Sequence, residues 1–464
     1  MLPTSSRLIV LFLAFAFSSV FSFRATHLGG FVCKGDLTVG PAFLTFDDDA
    51  LIVSRFTGDP LESDDIAGVV NFGMLLASGN VSNAICTSVA TVDWPNDVEP
   101  ASAILGVHGN VSGLLAPGGF LVPGKTIGSV NFVNSSKGAT ATKTFTLSAP
   151  KILPGDGWFY HRAYFFDVDG DGLDDVITAR ATKPLVESPA GELVWMRQPS
   201  IGNDPLASNV LPWKDYVLVN GSFAPDVLFS NPSSLRFDND EQIFSTSFFT
   251  GGGLTMLQCV GCGGGNRSRT NTWAKAAENG ELVPIILDAS IGPSFDVAVV
   301  DINGDGRLDL LVTNHVDNAT SPGAISLVTV YQAPTPPTPL STISAWVRHD
   351  IASGFVVREP GPNQAAPGAA RAFAPPPPPP SASSSSVSSA VKPWVSVAGD
   401  GDQQFYVLTP DMPLDPLNWN YTRNLVWNCG GTAGRQATIV IDTALYLIVP
   451  CYDSGRIEAF LIQN

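Results

Sequence analysis

A nine-residue acidic motif occurs twice in this chain and constrains its fold more than any other feature. It reads Asp167-Val168-Asp169-Gly170-Asp171-Gly172-Leu173-Asp174-Asp175, and again Asp301-Ile302-Asn303-Gly304-Asp305-Gly306-Arg307-Leu308-Asp309. Acidic or amide side chains stand at positions 1, 3, 5 and 9, with glycine at position 6. That spacing lets alternate side-chain oxygens converge inside a tight loop, where the backbone carbonyl of Leu173 or Arg307 at position 7 can join them. Only hard oxygen ligands are offered, so Ca²⁺ is the expected guest and Mg²⁺ the poorer one. Two sites are expected, one on Asp167, Asp169, Asp171, Leu173 and Asp175, the other on Asp301, Asn303, Asp305, Arg307 and Asp309. Carboxylates crowded within ~4 Å repel by about 1 kcal/mol per pair in water, so a loop of this kind without a cation works against its own fold. An EF-hand would carry Glu at position 12. Thr178 and Val312 stand there instead, each inside an apolar run that reads as a strand.

The two windows "AYFFDVDGDGLDDVITAR" and "FDVAVVDINGDGRLDLLVTN" are strand–acidic loop–strand units. They resemble the FG-GAP/VCBS repeat, the calcium-loop repeat of integrin α-subunit propellers and of many secreted propellers. The resemblance implies an all-β fold, a β-propeller with calcium-binding loops between blade strands, which the count of repeat units makes seven-bladed. It implies no particular activity, because fold does not fix function. Weaker copies carry markers near residues 47, 93, 238, 400 and 442, which with 167 and 301 makes seven units. Their mean spacing is roughly 66 residues, one four-stranded blade plus insertions. Six blades is the alternative count, since the unit at 93 is so degraded. Closing such a ring takes strands from both termini, and Phe31-Val32-Cys33 is the candidate outer strand. Asp47-Asp48-Asp49 and Asp238-Asn239-Asp240-Glu241 lack the bending glycine and read as exposed turns rather than metal sites.

Composition supports the all-β class. Charged residues are 14% of the 464, with 44 glycines and 37 prolines, as in many short strands joined by turns. The net charge of −17 argues against nucleic acid or an anionic membrane as partner. Residues 1–22 read as a secretory signal, with Arg7 ahead of the apolar Leu8 to Phe17 and small residues before the cleavage point. Residues 23–464 then form one propeller, interrupted at about 358–392 by a Pro/Ser-rich surface insertion. No later segment has the ~20 apolar residues of a membrane anchor.

A lumenal route fits the rest. Sequons occur at Asn80, Asn110, Asn134, Asn220, Asn266, Asn318 and Asn420. The six cysteines read as up to three disulfides. Fifteen connectivities are open; Cys259–Cys262 and Cys429–Cys451 are favoured as local pairs, leaving Cys33–Cys86. Secretion is expected, with a vacuolar or other lumenal residence as the alternative.

No catalytic constellation is visible. The five histidines, His27, His108, His161, His315 and His349, stand in no hydrolase or zinc spacing. His161 and His315 lie close in sequence to the acidic loops, but read as ordinary strand-end residues. The tryptophans read as blade packing, and the glycine-rich Gly261 to Gly265 as a loop. The expectation is a calcium-stabilised module for recognising extracellular protein or glycan. The alternative is a carbohydrate-active enzyme, a polysaccharide lyase or dehydratase, on the same scaffold. A cluster of His, Tyr, Arg or Lys at one mouth of the channel would mark it.

Overall fold

The computed structural model describes residues 23–464 except 36–38, 105–109, 123–124, 136–137, 142, 150–151, 154–155, 184–187, 200–203, 233–235, 238–239, 264–269, 318–322, 360–363 and 377–390. The signal segment, His108, Asp238, Asn239, Asn266, Asn318 and the serine run after Pro380 lie outside the described residues.

Short apolar segments separated by turns form seven four-stranded antiparallel sheets. Blade 1 comprises Gly40–Asp47, Ala50–Phe56, Asp65–Val69 and Thr87–Thr91. Blade 2 comprises Glu99–Ile104, Asn110–Pro117, Val130–Asn134 and Lys143–Thr146. Blade 3 comprises Phe159–Phe166, Asp175–Thr182, Ala190–Arg197 and Lys214–Asn220. Blade 4 comprises Arg236–Phe237, Asp240–Ser247, Gly253–Cys259 and Ile285–Asp288. Blade 5 comprises Ser294–Val300, Asp309–Asn314, Leu327–Gln332 and Val347–Ser353. Blade 6 comprises Ala370–Phe373, Trp394–Ala398, Gln404–Pro410 and Tyr421–Asn428. Blade 7 takes Ala437–Ile441, Ala444–Cys451 and Arg456–Gln463 from the C-terminus, and Arg24–Val32 from the other end as its outer strand. Arg24 lies opposite Gln463 and Val32 opposite Arg456, so the ring closes as expected.

One buried apolar cluster fills each blade-to-blade interface. Ile52, Val89, Leu114 and Val133 join blades 1 and 2, while Ile177, Trp195, Ile243 and Leu257 join blades 3 and 4. Each fully buried Val, Leu or Ile contributes about 1.5–3 kcal/mol, and no blade could bury its two faces without both neighbours. The seam at blade 7 has covalent support as well. Cys33–Cys86 ties its outer strand to blade 1, and Cys429–Cys451 ties it to blade 6. Cys259–Cys262 closes a short loop in blade 4 with both residues fully buried. All three pairs are those favoured from the sequence.

Successive strands alternate in direction, so the ring has two distinct rims. Loops between first and second strands share one rim with those between third and fourth. Loops between second and third strands share the other with the connections between blades. Two sequence markers prove misplaced on this scheme. Asp93 lies in the connection from blade 1 to blade 2, and the Gly399-Asp400-Gly401-Asp402 turn joins the second and third strands of blade 6. The Pro/Ser-rich stretch, not that turn, links the first two strands of blade 6. Ala370–Phe373, inside the span 358–392 read as insertion, is the inner strand of that blade. A six-residue helix, Trp273–Glu278, follows the glycine-rich loop where no helical pattern was evident.

Candidate functional site

The two acidic loops occupy the same place in blades 3 and 5, between first and second strands, and wind identically. Gly170 N–H donates to Asp167 Oδ1 (2.7 Å), and Gly304 N–H to Asp301 Oδ1 (2.7 Å). Asp171 N–H donates to Asp169 Oδ1 (3.1 Å), and Asp305 N–H to Asn303 Oδ1 (3.0 Å). Gly172 and Gly306 take φ of 86° and 84°, the left-handed bend that glycine permits. Ligand oxygens of Asp167, Asp169 and Asp175 lie within 4.8 Å of one another. Asp175 is fully buried, and burial pushes its carboxyl up to about 7; burial does the same to Asp309. Buried acids converging on exposed ones fit a hard divalent cation, which would restore the ionised forms. An arginine already leans on each loop. Arg197 lies 2.7 Å from Asp169 and 3.6 Å from Asp171, and Arg307 lies 2.7 Å from Asp305. Arg197 comes from the third strand of blade 3, and no local spacing revealed it.

His161 and His315 do not attend these loops. Each sits at the far end of its strand, on the opposite rim. There the structure assembles what was invisible in the sequence, a belt of charge across the central channel. Each of six blades contributes one side chain near the start of its inner strand: Phe43, Asp97, Arg162, Asp296, Arg371 and Arg435. In blades 1, 3 and 5 a β-bulge immediately before Phe43, Arg162 and Asp296 turns the side chain, a common use of bulges. Arg162 donates to Asp97 (2.5 Å), to Phe229 O (3.1 Å) and to Asp296 (3.3 Å). Arg435 pairs with the other oxygen of Asp97, and Arg371 with the other oxygen of Asp296.

Burial alone would raise Asp97 and Asp296, but the surrounding guanidinium groups outweigh it and hold both below the usual carboxylate range. Glu99, one layer deeper and 3.6 Å from Arg435, is pushed up to about 7 by burial and by Asp97. Burial drives His161 down to about 4, and its Nδ1 is buried without a partner. The signal that could have revealed the belt is positional. Arg162 and Asp296 each stand five residues before the first aspartate of an acidic loop, breaking an apolar strand at the same register.

The same rim carries a continuous band of aromatic rings, half-exposed except for the buried Phe159 at its middle. It runs from Tyr452 to Phe56 (5.6 Å between centroids), Trp94 (4.2 Å) and Phe120 (5.1 Å). It continues through Phe159 (5.4 Å) and Phe249 (5.8 Å) to Phe248, Phe295 and His315. Buried carboxylates pin the loops that bear it. Asp226 accepts from the N–H groups of Phe248, Phe249 and Thr250, and Asp64 from Trp94 N–H and Lys125 Nζ. By contrast Trp195, Trp213, Trp273 and Trp394 are buried between blades, as expected, and Trp158 is buried as well. Of the sequons, Asn80, Asn220 and Asn420 are exposed.

A closed ring of seven four-stranded blades defines a β-propeller. Residues 295–328, which contain the second acidic loop, match the FG-GAP repeat, and they lie in one blade of this seven-bladed propeller. No curated protein matches the sequence. Similar solved structures include a protein of unknown function from Dyadobacter fermentans, at 9% identity over 95% of this chain and 99% of that one, TM-score 0.38. A putative 6-phosphogluconolactonase from Bacteroides fragilis shares 10% over 83% and 87%, TM-score 0.37. The V. cholerae biofilm matrix protein Bap1 shares 11% over 96% and 71%, TM-score 0.28. Likenesses this low carry no argument about activity.

Proposed function

We propose that this propeller is a secreted, calcium-stabilised recognition module whose binding surface is the rim opposite the acidic loops. The carrying observation is the aromatic band, which spans blades 7 and 1 to 5 and is held by dedicated buried carboxylates. Half-exposed aromatic surface of this extent, surrounding a polar channel mouth, suits an extracellular protein or glycan. The acidic loops play a structural part on the other rim. Calcium there would be held by Asp167, Asp169, Asp171, Asp175 and the Leu173 carbonyl in blade 3. In blade 5 the ligands would be Asp301, Asn303, Asp305, Asp309 and the Arg307 carbonyl. The ion supplies positive charge that lets buried Asp175 and Asp309 ionise without destabilising their blades.

One observation favours the enzymatic alternative. Glu99, poised near neutrality beside Arg435 and Tyr164, has the properties of a general base. Against it, Arg162, Arg371 and Arg435 each pair with Asp97 or Asp296, and no nucleophile or second titrating acid stands beside Glu99 at hydrogen-bond distance among the described residues. Glycan arrays and pectic substrates, applied to the purified calcium-loaded protein, separate the two. Saturable binding without products supports the recognition module. Turnover that is lost in Glu99→Gln would overturn it.

A further inference from the structure

Around the channel the charges alternate from blade to blade, but only for part of the ring. Asp97, Arg162, Asp296 and Arg371 follow one another as acid, base, acid, base, with the backbone carbonyl of Phe229 standing for blade 4. The next blade breaks the order with a second arginine, Arg435, and the one after it offers the half-buried ring of Phe43, with the Arg435 guanidinium 5.7 Å from its centroid. Two neighbouring blades therefore present guanidinium groups, with Asp97 and Glu99 acting through space on both. Glu99 reaches Arg435 from one layer deeper without a hydrogen bond, and makes no ion pair with Arg371.

Both arginines keep donors in hand. Arg371 uses one terminal nitrogen, on Asp296 and on Ala370 O, and its side chain remains 28% exposed. Arg435, 7% exposed, spends one terminal nitrogen on Asp97, and its other terminal nitrogen lies 3.6 Å from Glu99 without a hydrogen bond. Close by, the unpartnered Nδ1 of His161, whose ring meets Phe43 edge-on at 5.7 Å, is a further buried polar atom in the same place.

We infer that the channel mouth between blades 6, 7 and 1 binds a carboxylate-bearing sugar, a uronate, with Arg371 and Arg435 holding the carboxylate and Phe43 facing the pyranose ring. This deepens the recognition reading and rests on it. A planar guanidinium matches a carboxylate with two parallel hydrogen bonds, and such charge-assisted bonds are about twice as strong as neutral ones. Aromatic surface beside the charge gives the apolar C–H face of a sugar ring a place to rest, which a bare anion would not use. The net charge of −17 does not forbid an acidic ligand. Surface charges are screened beyond about 8 Å at physiological salt, whereas partly buried arginines are screened far less.

Calorimetric titration of the calcium-loaded protein with D-glucuronate, D-glucose and acetate tests the inference. Glucuronate should bind saturably, and glucose and acetate about tenfold more weakly or worse. Arg371→Gln should weaken glucuronate about tenfold or more while Arg371→Lys weakens it less, and added NaCl should weaken the wild type. Arg371 is partly exposed, so both variants should keep the wild-type circular dichroism spectrum. Acetate as tight as glucuronate, or Arg371→Gln binding like wild type, would overturn the assignment. A protein that binds neutral glycans or proteins on arrays yet ignores glucuronate keeps the recognition function and refutes the uronate site. One that binds nothing on the arrays refutes both.

Discussion

Replacing Arg162 by methionine should loosen the whole ring, because this one side chain joins blades 2, 3, 4 and 5. It is 4% exposed and bonds Asp97, Phe229 O and Asp296. Removing one member of a buried ion-pair network typically costs 3–5 kcal/mol, since the partners stay buried with their charge uncompensated. Arg435 and Arg371 still reach Asp97 and Asp296, which places the expected loss at the lower end, about 3 kcal/mol. Unfolding entropy of ~2.1 cal/mol/K per residue over roughly 440 residues is ~0.9 kcal/mol/K, so the melting temperature should fall by about 3 °C. Scanning calorimetry and urea titration of Arg162→Met, Asp97→Asn and the double variant measure both the loss and the coupling. The double variant should cost about 1–3 kcal/mol less than the sum of the singles. A single-variant loss under about 1 kcal/mol, or strict additivity, would mean that the belt does not bind the blades together.

Other consequences can be checked in parallel. Acids raised by burial take up protons on folding, so metal-stripped protein should gain stability as pH falls from about 8 to about 5.5. Glu99, Asp175 and Asp309 are raised to about 7, and Asp226 and Asp400 to about 6, outnumbering His161, whose lowered pKa works the opposite way below about 6.5. A melting temperature that falls steadily over that range would contradict these burial effects. The Cys429→Ser/Cys451→Ser variant frees a 22-residue separation at the ring seam; loop entropy predicts a loss of about 3 kcal/mol, and unchanged urea stability would refute the seam's role. Deleting Pro378 to Ser389 should leave the melting temperature within about 1 °C, as expected of a surface insertion; a larger loss would mean that the stretch packs.

The fold was legible where local chemistry is repeated along the chain. The two acidic loops announced themselves because their glycines and oxygens are contiguous, and the local disulfides Cys259–Cys262 and Cys429–Cys451 followed from proximity in sequence. The channel belt was not legible, because Asp97, Arg162, Asp296, Arg371 and Arg435 are brought together only by the closure of the ring. Arg371 was hidden for a second reason. It lies in a four-residue strand beside a proline-rich stretch, where composition masks the pattern of a strand. The aromatic band escaped for a related one, since its rings come from loop ends and inter-blade connections that share a rim but no periodicity. Trp94, at its centre, stands in the most degraded of the repeats, so its role depends wholly on the stacking of Phe56 and Phe120 against it.

Calcium titration of the metal-stripped protein, followed by calorimetry and by melting, tests the proposed role of the acidic loops most directly. Two sites should appear, the loop of Asp167 to Asp175 binding more tightly because it offers four carboxylates where the loop of Asp301 to Asp309 offers three. Saturation at ~100 times the dissociation constant adds roughly 2.7 kcal/mol per site, or about 3 °C in melting temperature for a protein of this size. Asp171→Ala should remove more of that stabilisation than Asp305→Ala, because the first loop carries one carboxylate more while each loop has its own arginine, Arg197 or Arg307. Binding heat that is absent, a melting curve indifferent to chelator, or two equal sites persisting in both variants would contradict the assignment of calcium to these loops.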